Sequence, residues 1–212
     1  LIHLLAECYF AKNNFTEARR LLQPLLENSP SSKVLYLCGK IDAAEGKHQD
    51  ALDLFQKASS YNPLYPDPRI EQLESCLTIG NEETLVSVHK ELLSNKPSDI
   101  SLVKMGRTYL AHGRLEEAGE LLDMATDPIP EAVVVFNNYA LELKKQGKLK
   151  ECIGQYTKCL KISPHHPLIL YNLGCAHLDD DNRIQARKFL KKAVSRKPDF
   201  EKAKRALEQL GN

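Results

Sequence analysis

The residues of this chain that could do chemistry are histidines, acids, thiols and amides, and their spacing decides which could act together. His165 and His166 stand side by side in "SPHHP", a proline-flanked connection where exposed loop residues are expected. The run "DDDN" at 179–182 lacks the glycine and terminal glutamate of a calcium loop and reads as a helix end and turn. No glycine-rich loop could cradle a phosphate. Serine, histidine and acidic residues occur, but nothing in the sequence places them together. No enzymatic activity, cofactor or metal is therefore expected. The six cysteines, at 8, 38, 76, 152, 159 and 175, show no CxxC pair and no zinc-type Cys/His spacing. They suggest a reducing compartment, the cytoplasm, and most should behave as small buried hydrophobes.

What would position such residues follows from composition and period. A chain of 212 residues with 42% hydrophobic and 27% charged residues can bury a good core, which excludes disorder and collagen-like structure. It contains no apolar run of about 18 residues and no secretory leader. It opens at Leu1, within a repeat, so it is expected to be a piece of a longer protein. Prolines at 30, 63, 97, 130, 164 and 198 recur every 33 or 34 residues. Twenty-four residues before them stand Ala6, Gly39, Leu73, Gly106, Ala140 and Gly174, and twelve before them Ala18, Ala51, Leu85, Ala118, Cys152 and Ala186. Between these mostly small sites lies a turn residue: Asn13, Gly46, Gly80, Gly113, Gly147 or Asp181.

This period predicts a helical hairpin repeated six times. Each has one apolar stripe before the turn, as in Leu170, Leu173, His177 and Leu178, and a second after it, as in Ala186, Phe189, Leu190, Ala193 and Val194. Small residues let the two helices approach, and proline ends the second helix because it lacks a backbone donor and clashes with the preceding turn. Such hairpins cannot hide their apolar faces alone and must stack.

The residues Leu170, Leu173, Gly174, Ala186, Leu190, Ala193 and Pro198 stand at the signature places of the tetratricopeptide repeat, and the chain resembles an array of that family over about 95% of its length. The units with Leu35, Gly39, Ala51, Phe55, Ala58 and Pro63, and with Leu102, Gly106, Tyr109, Ala118, Leu122, Ala125 and Pro130, fit nearly as well. The third departs, with Arg69, Leu73, Leu85, His89 and Leu92 at places expected to be small or apolar, which puts its packing and curvature in question. The resemblance implies an all-α, right-handed superhelical solenoid of antiparallel hairpins. The repeats are expected at about 1–31, 32–65, 66–98, 99–132, 133–166 and 167–198 of a single array, with a capping helix at about 199–210.

The resemblance also implies a concave groove lined by first helices, with the residue two places before each small site facing it: Leu4, Leu37, Glu71, Lys104, Asn138 and Asn172. A primary amide both donates and accepts, so Asn138 and Asn172 in successive repeats suit the backbone of an extended peptide. They could equally bond within their own helix hairpin or to water. Lys104 and Arg107, one turn apart, could receive a carboxylate, or simply be solvated. The three-repeat carboxylate clamp of chaperone-binding family members is not present. The expected peptide groove therefore comprises Lys104, Arg107, Asn137, Asn138, Tyr171 and Asn172.

From Arg183 onward ten Lys or Arg face three Asp or Glu, while residues 1–182 carry 19 against 25. That basic end reads as a solvated face, with docking of an acidic protein, a membrane or nucleic acid as the alternatives. The expected function is a protein-interaction scaffold or adaptor holding an extended segment of a protein or peptide partner. The alternative is an accessory substrate-presenting or self-association domain of a longer enzyme or signalling protein, such as a bacterial receiver-domain protein. No small-molecule substrate is expected, nucleic acid and membrane are not the expected partners, and a second copy of the chain could cover the open first hairpin.

Overall fold

A computed structural model describes residues 2–127 and 129–211. Among them the chain forms thirteen α-helices and no strand. In order these are α1 (Ile2–Ala11), α2 (Phe15–Asn28), α3 (Ser32–Ala44), α4 (His48–Tyr61), α5 (Asp67–Ile79), α6 (Glu82–Ser94), α7 (Asp99–Ala111), α8 (Leu115–Met124), α9 (Ala132–Lys145), α10 (Leu149–Ile162), α11 (Pro167–Asp179), α12 (Arg183–Arg196) and α13 (Glu201–Gln209). The ladder prolines all lie in connections outside the helices. The turn residues Asn13, Gly46, Gly80, Gly113, Gly147 and Asp181 all take positive φ, between 54° and 81°. The left-handed conformation reverses the chain in few residues, and glycine adopts it without the Cβ cost an L side chain meets. Gly147→Val is accordingly expected to destabilise by about 1–2 kcal/mol and Asp181→Gly to be neutral or stabilising, as read by urea unfolding.

The chain divides into two compact units, residues 1–112 and 113–212. In the first, Ala6, Ala18, Leu22, Val34, Leu37, Cys38 and Ile41 form a core around α1–α3, flanked by Tyr9, Phe10 and Phe15. Gly39 of α3 lies directly against the fully buried ring of Phe55 in α4. The irregular third repeat still closes as α5 and α6, using Arg69 and His89 at places that other repeats fill with large apolar residues such as Leu35 and Leu102, or Phe55 and Leu122. Arg69 is buried, donates to the Pro63 carbonyl at 3.1 Å and pairs with Glu91, while Leu73 is fully buried. His89 Nδ1 meets the Tyr109 hydroxyl at 2.7 Å. The two terminal nitrogens of Arg69 thereby find acceptors, which offsets part of the desolvation of its guanidinium, while its Nε is buried without a partner among the described residues.

In the second unit, Gly174 of α11 sits over Leu190 and the Ala186 carbonyl of α12. Helix α13 covers the last hairpin: Ala203 packs with Leu170 and Ala193, and Leu210 with Ala186 and Leu190. Arg183 and Arg187 both donate to the Leu210 carbonyl, at 3.2 and 3.3 Å, tying the end of this helix to α12. His166, expected as an exposed loop residue, is half-buried and caps α11, its Nδ1 accepting from the Ile169 N–H at 3.4 Å. His165 beside it is exposed.

Candidate interaction surfaces

In the first unit, Lys104 and Arg107 project from α7, one turn apart. Lys104 Nζ is already engaged with Asp67 at 2.6 Å. Arg107 is exposed and makes no ion pair among the described residues. A carboxylate reaching this helix would therefore meet Arg107 as a free cation and compete with Asp67 for Lys104. Other residues expected on a groove wall differ. Leu37 is buried in the first core at 4% exposure, because its side chain fills the space among α1, α2 and α3. Glu71 is half-buried, takes a hydrogen bond from Tyr36 at 3.4 Å and faces Lys40 at 3.9 Å; burial pushes its carboxyl above the usual range. Lys40 in turn stands over the rings of Phe10 and Tyr36, 4.9 and 5.5 Å from their centroids, a cluster that residue-by-residue reading did not find.

In the second unit, the three asparagines form one hydrogen-bonded chain. Asn172 Nδ2 of α11 donates to Asn137 Oδ1 of α9 at 2.9 Å, and Asn137 Nδ2 donates to Asn138 Oδ1 at 3.3 Å. Asn138 is exposed, and Asn137 and Asn172 are half-buried. The chain of amides has a direction: it leaves the Asn138 N–H groups free at one end and the Asn172 carbonyl at the other. Tyr171 lies beside Asn172 in sequence but turns its ring to Phe200, 5.0 Å away, among residues packed against α13. The structure thus joins Asn137, Asn138 and Asn172, while Tyr171 contributes packing.

A pocket of about 430 Å³ in the same unit is lined by Asp123, Phe136, Lys158, Lys161 and Ile162. Asp123 takes a hydrogen bond from Gln155 and pairs with Lys158 at 2.7 Å, so these two charges balance each other. Among the described residues no group of three or more His, Cys, Asp or Glu is placed to hold a metal ion, and no helix is long and apolar enough to cross a membrane.

Cys38, Cys76, Cys152 and Cys159 are buried, matching the small-hydrophobe reading; Cys8 is exposed and Cys175 intermediate. Burial pushes Cys38, Cys76 and Cys152 up to about 11 and Cys159 up to about 12. The thiolate is the reactive form, so these thiols are inert in the folded chain. Maleimide at pH 8 is expected to label Cys8 first and the four buried thiols only on unfolding, as followed by mass spectrometry over time.

Residues 2–58 match the family described as anaphase-promoting complex, cyclosome, subunit 3, and residues 134–166 and 168–200 each match the tetratricopeptide repeat. BBSome complex member BBS4 of Bos taurus is 21% identical over 206 residues and that of Mus musculus 23%, each alignment covering 93% of this chain and 38% of the relative. The chain thus spans less than two-fifths of the length of these relatives. Among solved structures, the C-terminal part of a TPR repeat-containing protein from Cytophaga hutchinsonii superposes with a TM-score of 0.67 at 14% identity, covering 98% of this chain and 84% of that one. YrrB, described as a TPR protein with an unusual peptide-binding site, gives 0.55 at 18% identity, with 92% and 97% covered. The APC/C hetero-tetramer Cut9-Hcn1 gives 0.51 at 16%, with 100% and 42% covered. At such identities the structural likeness speaks for the fold. The helix pairs, the left-handed turn at a fixed place in each period and the matched repeat segments lead to one identification: the chain is a tetratricopeptide-repeat protein, of a class that serves as protein–protein interaction scaffolds.

Proposed function

We propose that this chain is a scaffold that holds an extended segment of a protein partner along its first helices. The observation that carries this reading is the directed amide chain of Asn138, Asn137 and Asn172, which leaves donors at one end and an acceptor at the other. An extended backbone offers the complementary C=O and N–H groups at regular intervals. In the first unit, Arg107, with Lys104 where it can be drawn from Asp67, would take an acidic side chain or a terminal carboxylate.

The scaffold would act within a multiprotein assembly in the cytoplasm. The similar proteins carry names of complex members: BBSome complex member BBS4 and anaphase-promoting complex subunit 3. The cysteine pattern suits a reducing compartment.

A photo-crosslinking residue placed at 138 is the direct test, with the same residue at 157 on the exposed side of α10 as the comparison. The expected result is a discrete partner crosslinked from 138, absent from 157 and lost when Asn172→Ala is added. Equal crosslinking from both positions, or indifference to Asn172→Ala, would overturn the assignment.

A further inference from the structure

Basic side chains are treated differently along this chain. Arg19, Lys33, Lys104, Lys144 and Lys158 each pair with an acid on another helix, at 2.6–3.0 Å. Of the ten Lys and Arg from Arg183 onward, only Lys204 has an ion pair among the described residues, with Glu201 on its own helix. Arg183 and Arg187 are occupied with the Leu210 carbonyl. The rest are cations without acidic partners, and several gather on α12.

Ile184, Lys188, Lys191, Lys192 and Ser195 recur at intervals of four, three, one and three residues, which places them on one face of α12, and all are exposed. Ile184 is 81% exposed, an apolar side chain at the head of a cationic stripe. The aromatic ring next to the stripe is Phe189, which is half-buried. His177 stacks on that ring at 5.5 Å and 7°, and the ammonium groups of Lys188 and Lys192 stand 5.8 and 5.7 Å from its centroid. These contacts restrain two lysine side chains before any partner arrives, lowering the entropy lost on binding.

We propose that this face of α12 docks an acidic, extended segment of a protein partner, its carboxylates on Lys188, Lys191 and Lys192 and an apolar side chain on Ile184. From Ile184 to Ser195 the helix rises about 16 Å, the reach of about five extended residues. Two observations favour a protein segment over other polyanions. Phe189 is engaged by His177 and two lysines, so bases of a nucleic acid find no free ring to stack on. A membrane would call for a band of apolar side chains beside the lysines, and Ile184 stands alone on the stripe. This surface is distinct from the asparagine amides on α9 and α11, so the two readings stand or fall separately.

The test is fluorescence anisotropy on the whole chain with three probes: a labelled acidic peptide carrying a single leucine, a single-stranded oligonucleotide, and phosphatidylcholine vesicles containing phosphatidylserine. The peptide is expected to bind and to weaken as salt rises. Lys188→Gln/Lys191→Gln/Lys192→Gln should weaken it about tenfold or more, and Ile184→Ser about threefold, with helicity unchanged by circular dichroism. Lys57→Gln/Lys150→Gln, which removes two exposed cations from other helices, should bind the peptide as the parent does, which shows that the α12 stripe rather than total charge sets the affinity. Absence of peptide binding, a triple variant that binds like the parent, indifference to Ile184→Ser, or tighter binding of the oligonucleotide or the vesicles would each overturn the proposal.

Discussion

Gly174→Leu should lower the stability of the folded chain by about 3 kcal/mol, measured by urea unfolding. A Cβ on Gly174 would lie 2.8 Å from Leu190 Cγ and 3.3 Å from the Ala186 carbonyl oxygen, and neither neighbour can yield easily. Leu190 and Ala186 are fully buried, and Leu210 closes over both. Larger side chains at Gly174 must therefore push α11 away from α12. Gly154 provides the comparison, since a Cβ there meets nothing within 4 Å. Gly154→Ala on the exposed side of α10 should stabilise by up to about 1 kcal/mol, because alanine is the better helix former. Equal losses at both glycines would show that general helix effects, not the close approach at Gly174, set the outcome.

The second large effect centres on Phe55, a fully buried ring where α3 meets α4 in the second hairpin. Phe55→Ala should cost about 3–5 kcal/mol through lost burial and the cavity left behind. Its coupling to Gly39 gives the sharper check. In the parent, a Cβ on Gly39 would stand 2.6 and 2.8 Å from two ring carbons of Phe55, so Gly39→Ala should destabilise. In the Phe55→Ala background the ring is gone, and Gly39→Ala should instead recover about 1 kcal/mol by partly filling the space and favouring the helix. A change of the same sign in both backgrounds would remove the direct-contact explanation.

These two positions also show how much was legible beforehand. The 33- or 34-residue proline ladder and the small residues at Gly39, Gly174 and Ala186 identify close helix contacts because only small side chains permit them. The turn at each period was legible for the same kind of reason: glycine, asparagine and aspartate tolerate the left-handed φ that the structure shows there. The third repeat was less legible. Arg69 and His89 break the pattern in sequence, and their partners, Pro63, Glu91 and Tyr109, lie up to 22 residues away, so local spacing could not supply them.

For the candidate surfaces the division is sharper. Sequence periodicity put Asn138 and Asn172 at matching places in neighbouring repeats, but gave no sign that Asn172 would bond to Asn137 rather than stand free. It offered Lys104 as a cation, and the fold gave that cation to Asp67. It offered Tyr171 for a groove, and the ring packs with Phe200. It summed the charge at the basic end, while only the structure showed which lysines share the open face of α12 with Ile184.

What the sequence alone determined is therefore the helix-hairpin repeat, its turns and its small-residue contacts, because these are set by interactions within one period of the chain. What the tertiary structure decided is which polar groups are consumed internally and which remain available. Hydrogen bonds and ion pairs form between whichever groups packing brings to within about 3 Å, and that proximity is a property of the folded stack rather than of spacing along the chain.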